Sequence, residues 1–206
     1  MARAEHEEPA VRQGAVNLAL LAREAVRDFV PRALERQIDL GFEGPPGSEG
    51  AATPPGPRIL GSALLLRELV RNLVDNALLY TPRGGAVTVR VIDDPFGQVA
   101  VLQVEDSGPG IPPGEREQVF RPFYRSLGTG VDGSGLGLAI VREIATRHGA
   151  EITLDDADAR RRDPPAATGE SGPGALFTVR FAAAPASALH QTAAFRDGHQ
   201  QAQAQA

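Results

Sequence analysis

The sequence predicts an α+β fold: a two-layer α/β sandwich whose mixed, mostly antiparallel sheet of about five strands carries three main helices on one face. Three observations lead there. Residues 16–36, 64–82 and 136–148 repeat their apolar side chains at helical spacing. Residues 86–92 (AVTVRVI) and 99–105 (VAVLQVE) alternate apolar and polar in the manner of strands. The order helix, strand, helix, two strands, helix, two strands does not repeat the βα unit of a parallel sheet.

Residues 1–14 read as a disordered lead, and His6 within it as a solvated tail histidine. In 16–36, Leu18, Leu21, Ala22, Val26, Phe29 and Val30 share a face, and Pro31 is expected to kink or end the helix. Residues 38–42 (IDLGF) form a short strand. The stretch 44–57 (GPPGSEGAATPPGP) has no apolar period and reads as a flexible loop. Residues 58–60 make a short strand into Ser62, an N-cap for the helix that stops near Thr81, Pro82 and Gly84. The two alternating stretches then meet through the turn 93–97 (DDPFG) as an antiparallel hairpin. The loop 106–114 (DSGPGIPPG) leads to a short helical turn at 116–120 and a glycine-rich segment at 121–135. Gly149 caps the last helix at its C-terminus. Residues 152–154 and 175–181 are the final strands, separated by an insert over 157–174, and 185–206 reads as a disordered tail. One domain, 15–184, results.

A formal net charge of −5 gives no basic face for nucleic acid, so none is expected as a partner. The absence of cysteine removes disulfides, zinc thiolates and thiol nucleophiles together. No run of about 18 apolar residues occurs, and the acidic start is not a signal peptide, so the expected location is cytoplasmic.

Chemistry concentrates around the helix at 64–82. Its apolar arc is Leu66, Leu69, Val70, Leu73, Val74 and Ala77, and its opposite arc holds Glu68, Asn72, Asp75 and Asn76. Asparagine is a mediocre helix former that belongs at caps and turns, so two of them in mid-helix on one face suggest a ligand. Carboxamide oxygens are hard donors suited to Mg²⁺ shared with phosphates. The run GSGLGL at 133–138 opens a helix, where free N–H groups and close approach suit phosphate oxygens. Asp106, after a strand, can accept a hydrogen bond from an exocyclic amine such as that of adenine. Each feature alone has a plainer explanation, a turn or a satisfied buried amide; together they describe a nucleotide site.

At these residues the chain resembles the ATP-binding catalytic domain of sensor histidine kinases, within the GHKL superfamily that also holds gyrase B, Hsp90 and MutL. ELVRNLVDNA at 68–77 is similar to the N box, DSGPGI at 106–111 to the G1 box, VFRPFYR at 119–125 to the F box and GSGLGLAIVREI at 133–144 to the G2 box. The resemblance implies ATP and Mg²⁺ as cofactors, the metal held by Asn72 and Asn76. Glu68 would help as base or orient the acceptor. Tyr80 would pack beside the purine, Asp106 would bind its amine, and Gly108, Gly110 and Ile111 would shape that wall. Phe120 and Phe123 would anchor a lid over about 121–134, and Arg121 and Arg125 would neutralise the terminal phosphates. Gly133, Gly135, Leu136 and Gly137 would let the lid's end approach those phosphates, while Leu138 lines the base. Glu68, Asn72 and Asn76 are expected to open onto one cleft with Asp106 and the glycines at 133–137.

Two departures from the family stand out. The position before Tyr80 often carries Lys or Arg, and here it is Leu79, which shifts phosphate binding onto Arg125, Arg121 or Arg83. No acceptor motif like SHELRTPL occurs; His148 ends a helix and reads as structural, and His190 and His199 lie in the tail. The resemblance thus implies a catalytic piece of a larger membrane sensor, residues 1–14 being a remnant of its dimerisation region. The implied partners are the dimerisation and histidine phosphotransfer domain and, indirectly, a response regulator. The isolated domain would be a monomer and the parent protein a homodimer. A stand-alone serine kinase of anti-sigma-factor type and a non-catalytic nucleotide-binding domain remain the other readings.

Overall fold

A computed structural model describes residues 13–124, 134–157 and 172–185. The element order is β1 (Gly14–Asn17), α1 (Leu18–Glu35), β2 (Asp39–Glu43), β3 (Arg58–Gly61), α2 (Ala63–Tyr80), β4 (Ala86–Asp93), β5 (Val99–Asp106), α3 (Gly137–Arg147), β6 (Glu151–Asp156) and β7 (Ala175–Ala182). Two 3₁₀ turns, Pro113–Glu115 and Gln118–Phe120, lie between β5 and α3.

The main sheet has the order β2-β4-β5-β7-β6. Only the β2–β4 pair is parallel, because α2 crosses between those strands; the others are antiparallel. Val89 stands opposite Val104, and Val104 opposite Phe177, so all three point to one face, where they are buried. The helices close over that face with Leu18, Ala22, Val26 and Phe29 of α1, Leu66, Leu69, Leu73 and Ala77 of α2, and Val141 and Ile144 of α3. This is the α+β sandwich that the periodicities predict. On the sheet itself, Arg90 of β4 bridges Glu43 of β2 and Glu105 of β5. Burial works against its charge, but hydrogen bonds and attraction from the two glutamates outweigh it and raise its pKa above the ordinary arginine value.

Three expectations need correction. The first helix starts at Leu18 rather than residue 16, because the Asn17 side chain caps it by accepting from the Leu20 N–H at 3.0 Å. Residues 14–17 instead form β1, which pairs with β3 in a second, two-stranded sheet that the pattern did not announce. Pro31 does not end α1, which runs on to Glu35. The loop expected to be flexible is fastened to α1: Arg23 donates to the carbonyls of Ala51 and Ala52, and Asn17 Nδ2 donates to that of Pro54 at 2.9 Å.

His148 is structural, as expected, and ties the end of α3 to the start of α2. Its Nε2 accepts the Ser62 N–H at 3.2 Å, and Nδ1 faces the Ile144 carbonyl at 2.7 Å, the pairing of a tautomer with its proton on Nδ1. The ring fits only because residue 61 is glycine, where a Cβ would come within 2.4 Å of it.

Candidate functional site

The site is built on α2, whose two ends are held. Ser62 Oγ accepts from the Leu65 N–H at 3.3 Å. At the other end the Arg36 guanidinium, at the C-cap of α1, donates to the carbonyls of Leu78, Leu79 and Thr81. A cation on these last carbonyls satisfies acceptors that the helix leaves open and opposes its dipole. Between these anchors, Asn72, Asp75, Asn76, Leu79 and Tyr80 line a cavity of about 300 Å³. That volume is at the small end for a ligand site.

One end of the cavity is organised around Asp106, which is 3% exposed at the end of β5. Its Oδ1 accepts from the N–H of Gly108 at 2.8 Å and of Ala175 at 3.3 Å. Glycines make the close approach possible. A Cβ on Gly108 would sit 2.9 Å from both Asp106 Oδ1 and the Tyr80 carbonyl oxygen. One on Gly174 would sit 2.2 Å from the Asp106 carbonyl oxygen. Gly110 and Gly174 also take left-handed backbone angles, φ 75° and 68°, that suit glycine alone. Pro109, Gly110, Ile111, Leu138 and Ala175 complete this wall.

The other end is the start of α3, where Ser134, Gly135, Leu136 and Gly137 line the cavity. No side chain caps this helix, so its first N–H groups face whatever ligand arrives. Asn72 Nδ2 is committed to the Glu68 carbonyl at 2.8 Å, and its Oδ1 therefore points toward Gly137, where a Cβ would come within 3.1 Å. The Asn76 side chain has no hydrogen-bond partner among the described residues. Two carboxamide oxygens beside an uncapped helix start fit a hard cation shared with phosphate oxygens. Among the described residues, no three His, Cys, Asp or Glu side chains group into a metal cage, so such an ion would need those phosphate oxygens as ligands.

The structure thus gathers Asn72, Asn76, Tyr80, Asp106, Gly110, Ile111, Gly135, Leu136, Gly137 and Leu138 around one cavity. Gly108 supports Asp106 from behind rather than lining it. Glu68 does not share the cleft as expected. It lies in an adjoining recess with Leu65, Pro122, Ala139 and Glu143. Leu136 and Ile140 line both recesses and form the wall between them. Phe120 is buried, edge-on to Phe177 at 6.2 Å between centroids and under the Arg142 guanidinium at 4.3 Å, so it anchors the segment through the core. Phe123 is not packed as an anchor among the described residues: its side chain is 73% exposed, with φ 63°. Its N–H donates to the Gly135 carbonyl at 2.9 Å, a bond that closes a stem between residues 123 and 135. Arg121 is exposed and outside the lining. Arg125 and Gly133 lie outside the described residues.

Sequence reasoning missed Asp75, Pro109, Val119, Tyr124, Ser134, Ile140 and Ala175 as lining residues. Asp75 was on the polar arc, and Tyr124 and Ile140 within the motifs, so a signal existed. For Ala175, far along the chain, there was none. Leu79 does face the cavity, and among the described residues no Lys, Arg or His lines it, whereas two carboxylates do, Asp75 and Asp106.

The sequence is similar to that of the sensor protein kinase PmrB of Pseudomonas aeruginosa, 40% identical over 140 residues, which cover 68% of this chain and 27% of the relative. The fold is similar to that of a mycobacterial sensor histidine kinase MprB, with a TM-score of 0.66 and 31% identity over 84% of this chain and 99% of that one. It is also similar to full-length ShkA in complex with AMPPNP, with a TM-score of 0.65 and 28% identity over 86% of this chain and 33% of that one. The chain spans about a quarter of the length of the curated relatives it matches. The family profile described as histidine kinase-, DNA gyrase B- and HSP90-like ATPase matches residues 61–185, more than half of the 206, and takes in α2, the Asp106 loop and α3. The chain belongs to the histidine kinase-, DNA gyrase B- and HSP90-like ATPase family.

Proposed function

We propose that this chain is the ATP-binding catalytic domain of a two-component sensor histidine kinase, an enzyme that transfers the γ-phosphate of ATP to a histidine on a dimerisation domain outside residues 1–206. The observation that carries the proposal is the single cavity joining the α2 carboxamides, Asp106 on its glycine-packed loop, and the uncapped start of α3. The adenine amine would donate to Asp106, with Tyr80, Gly110, Ile111 and Leu138 around the ring. The phosphates would run toward Gly135 and Gly137, where the N–H groups of α3 receive negative charge. Asn72 and Asn76 would hold Mg²⁺, which lowers the charge repulsion at the phosphates.

In the transfer, a nitrogen of the acceptor imidazole attacks the γ-phosphorus, the bond to the β–γ bridging oxygen breaks, and ADP leaves. The domain's part is to position and to stabilise charge. Glu68, exposed beside the cavity, is the carboxylate assigned to orienting the acceptor and receiving its proton. Arg121 and Arg125 are the cations assigned to the terminal phosphate. The parent would be a homodimeric sensor with this domain on its cytoplasmic side, and its phosphohistidine would pass the phosphoryl group to a response regulator. Among the described residues no helix is long and apolar enough to cross a membrane. Nucleic acid has no place in the scheme.

The test is a titration with ATP and ADP, with and without Mg²⁺, followed by addition of a dimerisation domain carrying an acceptor histidine. The expected results are nucleotide binding and labelling of the added histidine. Asn76→Ala should abolish the tightening by Mg²⁺, about tenfold, and leave metal-free ADP binding nearly intact. No binding at millimolar ATP would sink the proposal. Binding without labelling would point to a nucleotide sensor, and equal losses in Asn76→Ala with and without Mg²⁺ would remove Asn76 from the metal.

A further inference from the structure

The cavity poses an electrostatic problem that its described lining does not solve. It is to receive a polyphosphate, yet its described lining carries two carboxylates and no cation. Asp106 accepts the N–H groups of Gly108 and Ala175, which offset its charge locally. Asp75 is answered from a different element: the Arg32 guanidinium, on α1, donates to Asp75 Oδ1. The neighbouring cations on this face of α2 are otherwise engaged, Arg67 and Arg71 by Asp28 and Arg36 by backbone carbonyls. Arg32 is therefore the cation that Asp75 holds among the described residues. The two side chains are 40% and 47% exposed, too open for the pair to add much to stability. Residue 32 also falls outside 61–185, the stretch that the family profile matches.

We propose that Arg32 sets the selectivity of the cavity for nucleoside polyphosphates over the bare nucleoside, by neutralising Asp75 at the rim. The inference rests on the nucleotide reading of the site and assigns Arg32 a role at a distance: it touches Asp75, and Asp75 faces the ligand. Its signature is dependence on ligand charge, because an uncompensated carboxylate repels ATP more than ADP and leaves adenosine nearly untouched. A structural strut between α1 and α2 would treat the three ligands alike.

The experiment measures binding of adenosine, ADP and ATP to the full chain, metal-free and at low salt, for the wild type, Arg32→Gln, Arg32→Lys and Arg32→Gln/Asp75→Asn. Arg32→Gln should weaken ATP about fourfold, the effect of one charge roughly 10 Å from a doubly charged phosphate in a water-like medium, and adenosine by less than about twofold. Arg32→Lys should keep the wild-type ratio of ATP to adenosine affinity, and adding Asp75→Asn to Arg32→Gln should restore it. Raising the salt to about 1 M should erase the difference. Equal losses for adenosine and ATP, or no rescue by Asp75→Asn, overturn the inference while leaving the nucleotide reading intact. A wild type that binds none of the three overturns both. Should Arg32→Gln fail to fold, Asp75→Asn alone decides: it frees the Arg32 charge and must raise the ratio of ATP to adenosine affinity, and an unchanged ratio overturns the proposal.

Discussion

The two ends of the cavity are built on opposite plans. Around Asp106, backbone N–H groups and glycines are packed so tightly that added methyl groups would overlap the main chain, and the carboxylate is almost fully buried. At the start of α3, a backbone hydrogen bond ties Phe123 to Gly135, and Phe123 is largely exposed with a left-handed backbone. The first end is shaped by the fold before any ligand arrives, which is preorganisation in the energetic sense: its ordering cost is already met on folding. The second end presents open N–H groups and unpartnered carboxamide, and the ligand completes it. On the proposed reading, recognition of the base and handling of the phosphates would fall to parts of the chain with different stability.

The widest gap between the ends should appear with one substitution made twice. In Gly174→Ala the new Cβ would lie 2.2 Å from the Asp106 carbonyl oxygen at φ 68°, with Ala157 Cβ 2.9 Å away. Neither neighbour can yield, because one is sheet backbone and the other is buried, so the variant should lose about 3 kcal/mol in urea unfolding. In Gly135→Ala the backbone is left-handed as well, φ 67°, but the contacts are looser, 2.9 Å and 3.0 Å to the main chain of Phe123. There the loss should be about 1 kcal/mol. Equal losses would mean that both ends are equally rigid.

Asp106→Asn should come next, and it acts on binding rather than folding. Asparagine keeps an Oδ1 for Gly108 and Ala175, so stability should change by less than about 1 kcal/mol. Its new amide hydrogens would face the adenine amine donor to donor, which should weaken ATP about 10- to 30-fold. A hypoxanthine nucleotide, with a carbonyl in place of the amine, should lose far less. Equal losses for the two nucleotides, measured by competition, would show that Asp106 does not read the amine.

The same contrast explains how much could be read from the sequence. The five-stranded sheet and three helices were legible because each rests on a local period, as in AVTVRVI and VAVLQVE, which became β4 and β5. Strand β1 was not: GAVN is four residues long, abuts a helix, and owes its existence to pairing with β3, a partner outside any local window. The motifs placed Asn72, Asn76 and Asp106 at the cavity, because helical spacing and a post-strand loop are also local. Glu68 shares the spacing but not the cavity, since the wall between is made by Leu136 and Ile140 of another element. The contribution of Gly174 depends on which atom lies 2.2 Å away, which no sequence pattern states.

The smallest expected effect concerns Phe123, and it has the opposite sign. A phenylalanine at φ 63° is strained by about 1 kcal/mol, and at 73% exposure its ring gains little burial in return. Glycine takes that backbone angle without strain but gives the unfolded chain more freedom, which offsets part of the gain. Phe123→Gly should therefore raise stability by about 0.5 kcal/mol or leave it level, whereas a residue that anchored the segment would lose two or more on truncation. If the urea midpoint falls by that larger amount, Phe123 packs against something in solution and the open plan of the α3 end is wrong. If stability holds but ATP affinity drops while adenosine affinity does not, the strained stem is maintained for the phosphates, and its cost belongs to function rather than to folding.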